Sequence, residues 1–256
     1  MLSAAPDHHR KRRTVDYPLA TRLLAEFLGT AILLILGNGS VAAVSLKGSK
    51  EFHAGWIVIV IGYACGVMFP CLMFGGISGS HINPAMTIGQ AINGMFPWNE
   101  VLPYIIAQIL GAVVGQLIVV LCYLPYYKQT EDVDAVFGTF STNDAANNKF
   151  NYFVNEFVGT LVLVLCALCS LSLPWGKANL AAGAITVGLV CGALVAALGG
   201  PTGPALNPAR DLMPRLLHQI LPLPHKGSSH WTESWIPVVA PICGAIVGVA
   251  LFKLFI

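Results

Sequence analysis

Charged residues are scarce in this chain: Asp, Glu, Lys and Arg make up 10% of its 256 residues, whereas 55% are hydrophobic. A soluble domain carries about 25% charged residues, and the mean hydropathy here is +0.71. The shortage of charge excludes an ordinary soluble domain. The long apolar runs predict an all-α integral membrane protein embedded in a lipid bilayer.

The chain also lacks the residue clusters that metal sites and catalytic centres need. Its seven cysteines all lie within apolar runs, where a small polarizable side chain packs well. Cys166-x-x-Cys169 is compatible with a redox or metal site, but no second pair or histidine follows at ligand spacing. No nucleophile–base pair stands out, and we do not interpret His81 as a metal ligand. We therefore expect no metal, no cofactor and no enzymatic activity.

The few charges are unevenly distributed along the chain. Basic residues crowd the beginning, namely Arg10, Lys11, Arg12, Arg13 and Arg22. A nucleic-acid-binding arm would show such a cluster, but so does the cytoplasmic flank of a first spanning helix, and we favour the flank. We expect residues 1–18 to form a cytoplasmic basic tail, both termini to be cytoplasmic, and no nucleic-acid partner.

Six apolar runs are long enough to cross a hydrocarbon core of about 30 Å. They cover approximately residues 19–46, 55–74, 101–124, 150–173, 180–198 and 235–255. Two further apolar segments, 84–93 and 208–220, are too short to cross. Each follows a Gly-rich stretch, 75–81 or 199–203, at which we expect the backbone to break.

The second half of the chain repeats the first. Asn83-Pro84-Ala85 recurs as Asn207-Pro208-Ala209, and Glu26-Phe-Leu-Gly-Thr recurs as Glu156-Phe-Val-Gly-Thr, in the same order. Because three spans per repeat is an odd number, the second copy must lie upside down in the membrane. We therefore expect one domain over residues 19–256. Its inverted repeats cover about 19–124 and 150–256, joined by the loop 125–149, and their broken helices mark a site near the bilayer midplane.

Both Asn-Pro-Ala motifs look like helix starts inside the bilayer, since Asn is a preferred N-cap and Pro is favoured at the first helical position. Two short helices entering from opposite faces would direct their positive N-terminal ends to the midplane. There the amides of Asn83 and Asn207 could donate to a solute. Acceptors would come from the backbone carbonyls that precede the motifs, at Gly79, Ser80, His81, Gly203, Ala205 and Leu206. Such a set suits a neutral hydroxylated solute and disfavours a cation.

Three charged residues within or beside the apolar runs are functional candidates. Glu26 and Glu156 could relay protons, but their symmetric placement favours a buttress in which each accepts from backbone N–H groups of its own broken loop. Arg210 has no counterpart, because Met86 stands at the matching place in the first half. We expect Arg210 to offer fixed donors to hydroxyls and a permanent charge against cations.

These motifs together resemble the major intrinsic protein family, the aquaporins and aquaglyceroporins, over about residues 20–256. Within this family the chain resembles the glycerol-facilitator branch, because Asp211 follows Arg210 directly. The resemblance implies an aquaporin-like fold of six transmembrane helices plus two re-entrant half-helices. It also implies a pore in each subunit, a homotetramer, and a place in the cell (plasma) membrane.

The resemblance further implies where the pore is narrowest. Counted without gaps from the motifs, the selectivity filter falls on Tyr63, Val195, Pro204 and Arg210. The best-known glycerol channels place Trp, Gly and Phe at the first three positions, so this filter is less apolar, and Tyr63 adds a hydroxyl that can donate and accept. The set resembles facilitators of lactic-acid-type Gram-positive bacteria, which as a group pass water, glycerol and other small neutral solutes.

We therefore expect a passive channel for glycerol, other polyols and water that excludes ions and protons, with undissociated lactic acid as a further candidate. Two alternatives stay open from the residues. One is a proton-coupled inverted-repeat transporter that uses Glu26 or Glu156. The other is a tetramer-forming structural or adhesion protein with a closed pore.

Overall fold

The computed structural model describes residues 17–256, which are helical and contain no strand. In chain order the α-helices are α1 (Leu19–Ser45), α2 (Trp56–Ser78), α3 (Pro84–Ile92), α4 (Trp98–Tyr127), α5 (Val133–Gly138), α6 (Lys149–Ser172), α7 (Pro174–Ala178), α8 (Leu180–Thr202), α9 (Pro208–Ile220) and α10 (Ile236–Phe252). The predicted basic tail, residues 1–18, lies outside the described residues apart from Tyr17 and Pro18.

Six segments are long and apolar enough to cross a membrane: α1, α2, α4, α6, α8, and α10 together with a short 3-10 turn at each of its ends. Their outer faces are apolar, and Leu121 on α4 and Leu189 on α8 are 70% and 63% exposed. Apolar surface on this scale needs a lipid or protein partner. The predicted all-α fold with six spans and two short helices is confirmed.

Two helix ends differ from the sequence prediction. The backbone does not break at Gly75 or Gly199, because α2 continues to Ser78 and α8 continues through Pro201 to Thr202. Each helix ends instead at a glycine in the left-handed region, Gly79 with φ 86° or Gly203 with φ 63°, which is the common way for a helix to stop. A proline inside a spanning helix persists because neighbouring groups satisfy the freed backbone.

Helix packing follows the same plan in both halves. Helix α1 contacts α2 and α4, as α6 contacts α8 and α10, while α3 packs on α10 and α9 packs on α4. Each short helix therefore packs against the last spanning helix of the other half. Small residues permit the close crossings: a Cβ added at Gly115 or Gly248 would lie 2.6 Å from the Ala31 carbonyl oxygen or 2.8 Å from that of Leu161.

Candidate pore and constriction

Each Asn-Pro-Ala motif begins a short helix. The Oδ1 atom of Asn83 accepts a hydrogen bond from the Ala85 N–H at 2.9 Å, and that of Asn207 accepts from the Ala209 N–H at 3.0 Å. The prolines between them occupy the first helical position of α3 and α9. The short helices thus begin where their local capping chemistry predicts.

The same asparagines bind the two halves of the chain to each other. Asn83 Nδ2 donates to the Leu206 carbonyl at 2.8 Å, and Asn207 Nδ2 donates to the Ile82 carbonyl at 2.7 Å. A primary amide has a second N–H, so each asparagine keeps one donor beyond this cross-link.

Glu26 is fully buried and binds the loop between α2 and α3. Its carboxylate accepts from the Ser78 hydroxyl at 2.7 Å and from the backbone N–H groups of His81 and Ile82 at 2.9 and 2.6 Å. The Gln108 amide donates a fourth hydrogen bond at 2.8 Å. These contacts match the geometry expected of a buttress.

Glu156 makes the equivalent contacts in the second half. It accepts from the Thr202 hydroxyl at 3.2 Å and from the N–H groups of Ala205 and Leu206 at 3.0 and 2.8 Å. Its side chain is also fully buried. Each carboxylate therefore binds two backbone N–H groups of the broken loop in its own half.

The residue before each motif has strained backbone. Ile82 has φ 43° and Leu206 has φ 52°, a region that bulky L-residues rarely adopt. Each is held from both sides, since its N–H binds the glutamate of its own half and its carbonyl binds the asparagine of the other. Glycines make room for both side chains, because a Cβ at Gly29 would lie 2.7 Å from Ile82 and one at Gly159 would lie 2.5 Å from Leu206.

Three cavities follow one another through the molecule. The terminal cavity is lined by Tyr17, near the start of the described chain, the central cavity by Asn83 and Asn207, and the loop cavity by Asp134 in the α4–α6 connection. The terminal and central cavities share wall residues, among them His81. The terminal and central cavities are therefore adjacent.

The central and loop cavities meet at four residues, Tyr63, Val195, Pro204 and Arg210, which line both of them. These are the four positions at which the family resemblance implies a selectivity filter. All the residues predicted to offer carbonyls also lie on cavity walls. Those of the central cavity are Gly79, Ser80, His81, Ala205 and Leu206, and Gly203 lines the loop cavity.

Arg210 is held by two groups of the protein. One terminal nitrogen, Nη2, donates to the Tyr63 hydroxyl, and the other, Nη1, donates to the Phe140 carbonyl at 3.3 Å. The guanidinium carbon lies 5.0 Å from the centroid of the Tyr63 ring, a cation–π distance. The Tyr63 hydroxyl in turn donates to Oδ1 of Asn38. Tyr63 thus uses its hydroxyl proton within the protein.

Asp211 lies behind Arg210 rather than on a cavity wall. Its carboxylate accepts from the Ser141 hydroxyl at 2.6 Å and from the Thr142 N–H at 2.9 Å, and it forms a 2.9 Å ion pair with Arg215. Both charged side chains are fully buried. Asp211 therefore fixes the loop between α5 and α6, which supplies the carbonyl acceptor of Arg210.

Sequence reasoning missed several polar residues that surround these sites. Asn38, Gln108 and Gln116 are fully buried within α1 and α4. The available signal was an uncharged polar side chain inside an apolar span, where such residues need a partner.

Known proteins resemble the chain along most of its length. The family model for "Major intrinsic protein" matches residues 13–252. The chain is 52% identical over 240 residues to "Glycerol uptake facilitator protein-like 5" of Lactiplantibacillus plantarum, covering 91% of this chain and 96% of that protein. It is 42% identical over 287 aligned residues to a "Glycerol facilitator-aquaporin" of Lactococcus lactis, covering 94% and 99%.

A solved structure also matches the fold. The X-ray structure of the aquaglyceroporin from Plasmodium falciparum superposes with a TM-score of 0.81 at 29% identity, covering 92% of this chain and 96% of that one. The motifs, the six spans and these similarities agree. The chain belongs to the major intrinsic protein family.

Proposed function

We propose that this protein is a passive channel for glycerol, other small polyols and water, and that it excludes ions and protons. The observation that carries the proposal is the boundary between the central and loop cavities, lined by Tyr63, Val195, Pro204 and Arg210. The names of its relatives support glycerol as the solute, and one name also includes the word aquaporin.

The chemistry of the path suits a neutral hydroxylated solute. The side chains of Asn83, Asn207 and Arg210 line the central cavity, and each of the two asparagines keeps one N–H. Apolar side chains such as Leu33 and Val187 line the rest of the central cavity and can contact carbon-bound hydrogens. A cation entering this path meets a guanidinium and then two positive helix ends, which together oppose its passage.

The proposal extends to the setting of the channel. Basic residues at the start of the chain favour cytoplasmic termini, and the bacterial relatives favour the plasma membrane. The exposed apolar faces of the spanning helices suit both lipid and neighbouring subunits. We include the homotetramer that the family resemblance implies.

Undissociated lactic acid is a further solute in this proposal, because it is a small neutral molecule with a hydroxyl and a carbonyl. Its uptake into proteoliposomes should rise as the pH falls toward the pKa of the acid. Leak through a bare bilayer has the same pH trend, so uptake into empty vesicles must be subtracted. Equal uptake with and without protein removes lactic acid from the proposal.

The alternative of a proton-coupled transporter gains no support from the relatives, which are named as facilitators. The carboxylates that would carry the coupling, Glu26 and Glu156, accept hydrogen bonds from loop backbone instead.

Stopped-flow light scattering on proteoliposomes tests the channel function. Under a glycerol gradient, vesicles with the purified protein should re-swell faster than empty vesicles, and an uncoupler should leave the rate unchanged. Equal rates in the two kinds of vesicle would reject glycerol as a solute. A rate that depends on the proton gradient would support the coupled transporter.

A further inference from the structure

We propose that Asn38 and Gln116 are positioning residues that hold the Tyr63 hydroxyl as an acceptor toward the pore. By doing so they set which hydrogen-bonding groups of a solute the constriction prefers. The inference rests on the channel function proposed above, and adds two specificity-determining residues that do not line the cavities.

The starting point is a pair of backbone carbonyls, which can only accept hydrogen bonds. Nε2 of Gln116 donates to the Thr139 carbonyl at 3.2 Å, and Nδ2 of Asn38 donates to the Phe140 carbonyl at 3.0 Å. Flipping either side-chain amide would place its oxygen against the oxygen of one of these backbone carbonyls. The two carbonyls therefore fix the orientation of both amides. The Gln116 oxygen then accepts from Asn38 Nδ2 at 2.6 Å, which binds the two amides together.

The orientation of Asn38 determines the orientation of the Tyr63 hydroxyl. Since Nδ2 of Asn38 is engaged, its Oδ1 faces Tyr63 and can only accept, so the phenol must donate its single proton there. On the other side, the Arg210 guanidinium can only donate, and its Nη2 binds the phenol oxygen. The hydroxyl proton is therefore used within the protein, and any hydrogen bond that a solute makes to Tyr63 must be accepted by the lone pair of the phenol oxygen that Arg210 leaves free.

These groups form a closed ring of hydrogen bonds. Arg210 binds Tyr63, Tyr63 binds Asn38, and both Asn38 and Arg210 bind the Phe140 carbonyl. Gly37 adds a steric constraint, because a Cβ at this position would overlap the Tyr63 ring. Asn38 and Gln116 are fully buried, where an unsatisfied polar group is costly, so the ring keeps one arrangement.

Fixed polarity at the boundary gives a basis for selection. Arg210 offers donors and Tyr63 offers an acceptor on the same wall. A solute hydroxyl both donates and accepts, so it can bind both residues at once. A ketone oxygen only accepts, so it binds Arg210 and gains nothing from the remaining acceptor capacity of the Tyr63 oxygen. Glycerol and dihydroxyacetone differ in this one group at nearly equal size, so the constriction should prefer glycerol.

The experiment measures the glycerol-to-dihydroxyacetone permeability ratio of proteoliposomes containing wild type, Asn38→Leu, Tyr63→Phe and the double variant. Asn38→Leu frees the phenol to donate to a ketone, and Tyr63→Phe removes the acceptor, so each should lower the ratio several-fold. The double variant should match Tyr63→Phe, because Asn38 acts through the hydroxyl. A further fall on adding Asn38→Leu to Tyr63→Phe, or no fall in Asn38→Leu alone, overturns the inference.

Asn93→Leu is the matched control. Asn93 is a half-buried asparagine at the end of α3 that donates to the carbonyls of Gly89 and Ile246 at 2.9 and 3.2 Å, and neither contact involves Tyr63 or the two glutamates. This variant should leave the ratio unchanged, and an equal fall would show that the effect is only structural. If Asn38→Leu does not reconstitute, Gln116→Leu replaces it, with a smaller fall expected that is absent in the Tyr63→Phe background. Absence of glycerol flux in wild type instead rejects the channel function itself.

Discussion

Arg210 stands in the second half of the chain where Met86 stands in the first. The Phe140 carbonyl and the Tyr63 hydroxyl bind its two terminal nitrogens, so the planar fork keeps a fixed direction at the boundary between the two cavities. A lysine would provide the same charge as a flexible point donor. Substitutions of Arg210 can therefore distinguish the effect of its charge from the effect of its hydrogen-bond geometry.

Replacement of Arg210 tests that separation. Arg210→Ala should admit larger polyols and small cations, because it removes both the charge and the side-chain volume from the boundary. Arg210→Lys should still exclude cations but should discriminate less between glycerol and larger polyols. Stopped-flow rates for a polyol series and a dye-based cation leak assay measure the two properties. Unchanged selectivity in Arg210→Ala would place the constriction elsewhere.

The sequence identified residues of the boundary better than it identified their supports. Tyr63 and Arg210 could be counted from the motifs, and their role in selection stays a prediction. Asn38 and Gln116 belong to α1 and α4, and only tertiary packing brings Asn38 beside Tyr63 and Gln116 beside Asn38. No local pattern shows which of several buried amides reaches a given hydroxyl.

At the scale of elements, the two broken loops are the most constrained parts of the fold. Each loop has a residue in the left-handed region, Ile82 or Leu206, with its N–H bound to a glutamate and its carbonyl bound to an asparagine of the other half. Conformational strain of about 1–3 kcal/mol per residue persists only where the surroundings hold it. The glutamates should therefore support both stability and pore shape.

Glu26→Gln should lower the thermal stability of the purified protein. An amide has one acceptor oxygen, so its NH2 group would face donors that the carboxylate now binds. Hydrogen bonds to a charged group contribute roughly 1.5–3 kcal/mol each. Glu156→Gln should have a smaller effect, because Glu156 accepts three such bonds and Glu26 accepts four.

Thermal unfolding in detergent, followed by intrinsic fluorescence, measures these effects. Glu233→Gln, in the short turn before α10, is the control and should unfold near the wild-type temperature because its carboxylate is partly exposed. Wild-type stability in Glu26→Gln would mean that the carboxylate does not hold the loop.

Helix starts were easier to predict than helix ends. The starts of α3 and α9 depend on Asn-Pro, whose capping chemistry is local. The ends of α2 and α8 lie inside the Gly-rich stretches that were predicted to break the backbone, but after the first glycines of those stretches, at Ser78 and Thr202. Their hydroxyls bind Glu26 and Glu156, so these ends are fixed by contacts with another helix.

At the scale of the whole molecule, an even number of spans places both chain ends on one side. A green fluorescent protein fused after Ile256 should fluoresce in a bacterial host, because that reporter folds in the cytoplasm. Alkaline phosphatase at the same position should be inactive, because it requires the periplasm. A non-fluorescent fusion together with an active phosphatase fusion would show that the C-terminus is periplasmic, contrary to the proposed orientation.

The repeated sequence predicted six spans and two short helices, because hydrophobic length and paired motifs carry that information. It did not predict that the short helix of each half packs against the last spanning helix of the other half, α3 against α10 and α9 against α4. Nor did it show that the asparagines join the halves directly. Contacts between repeats depend on three-dimensional packing, which motif spacing within one repeat does not contain.

The central claim is that solutes cross through the boundary between the central and loop cavities. The most direct test compares glycerol permeability of Val195→Trp with that of Leu189→Trp. Both substitutions add the same side chain to α8, but Val195 lines the boundary and is 3% exposed, whereas Leu189 faces outward and is 63% exposed. Val195→Trp should reduce the rate to that of empty vesicles while Leu189→Trp stays near wild type. Wild-type glycerol flux through a correctly folded Val195→Trp channel would contradict the account.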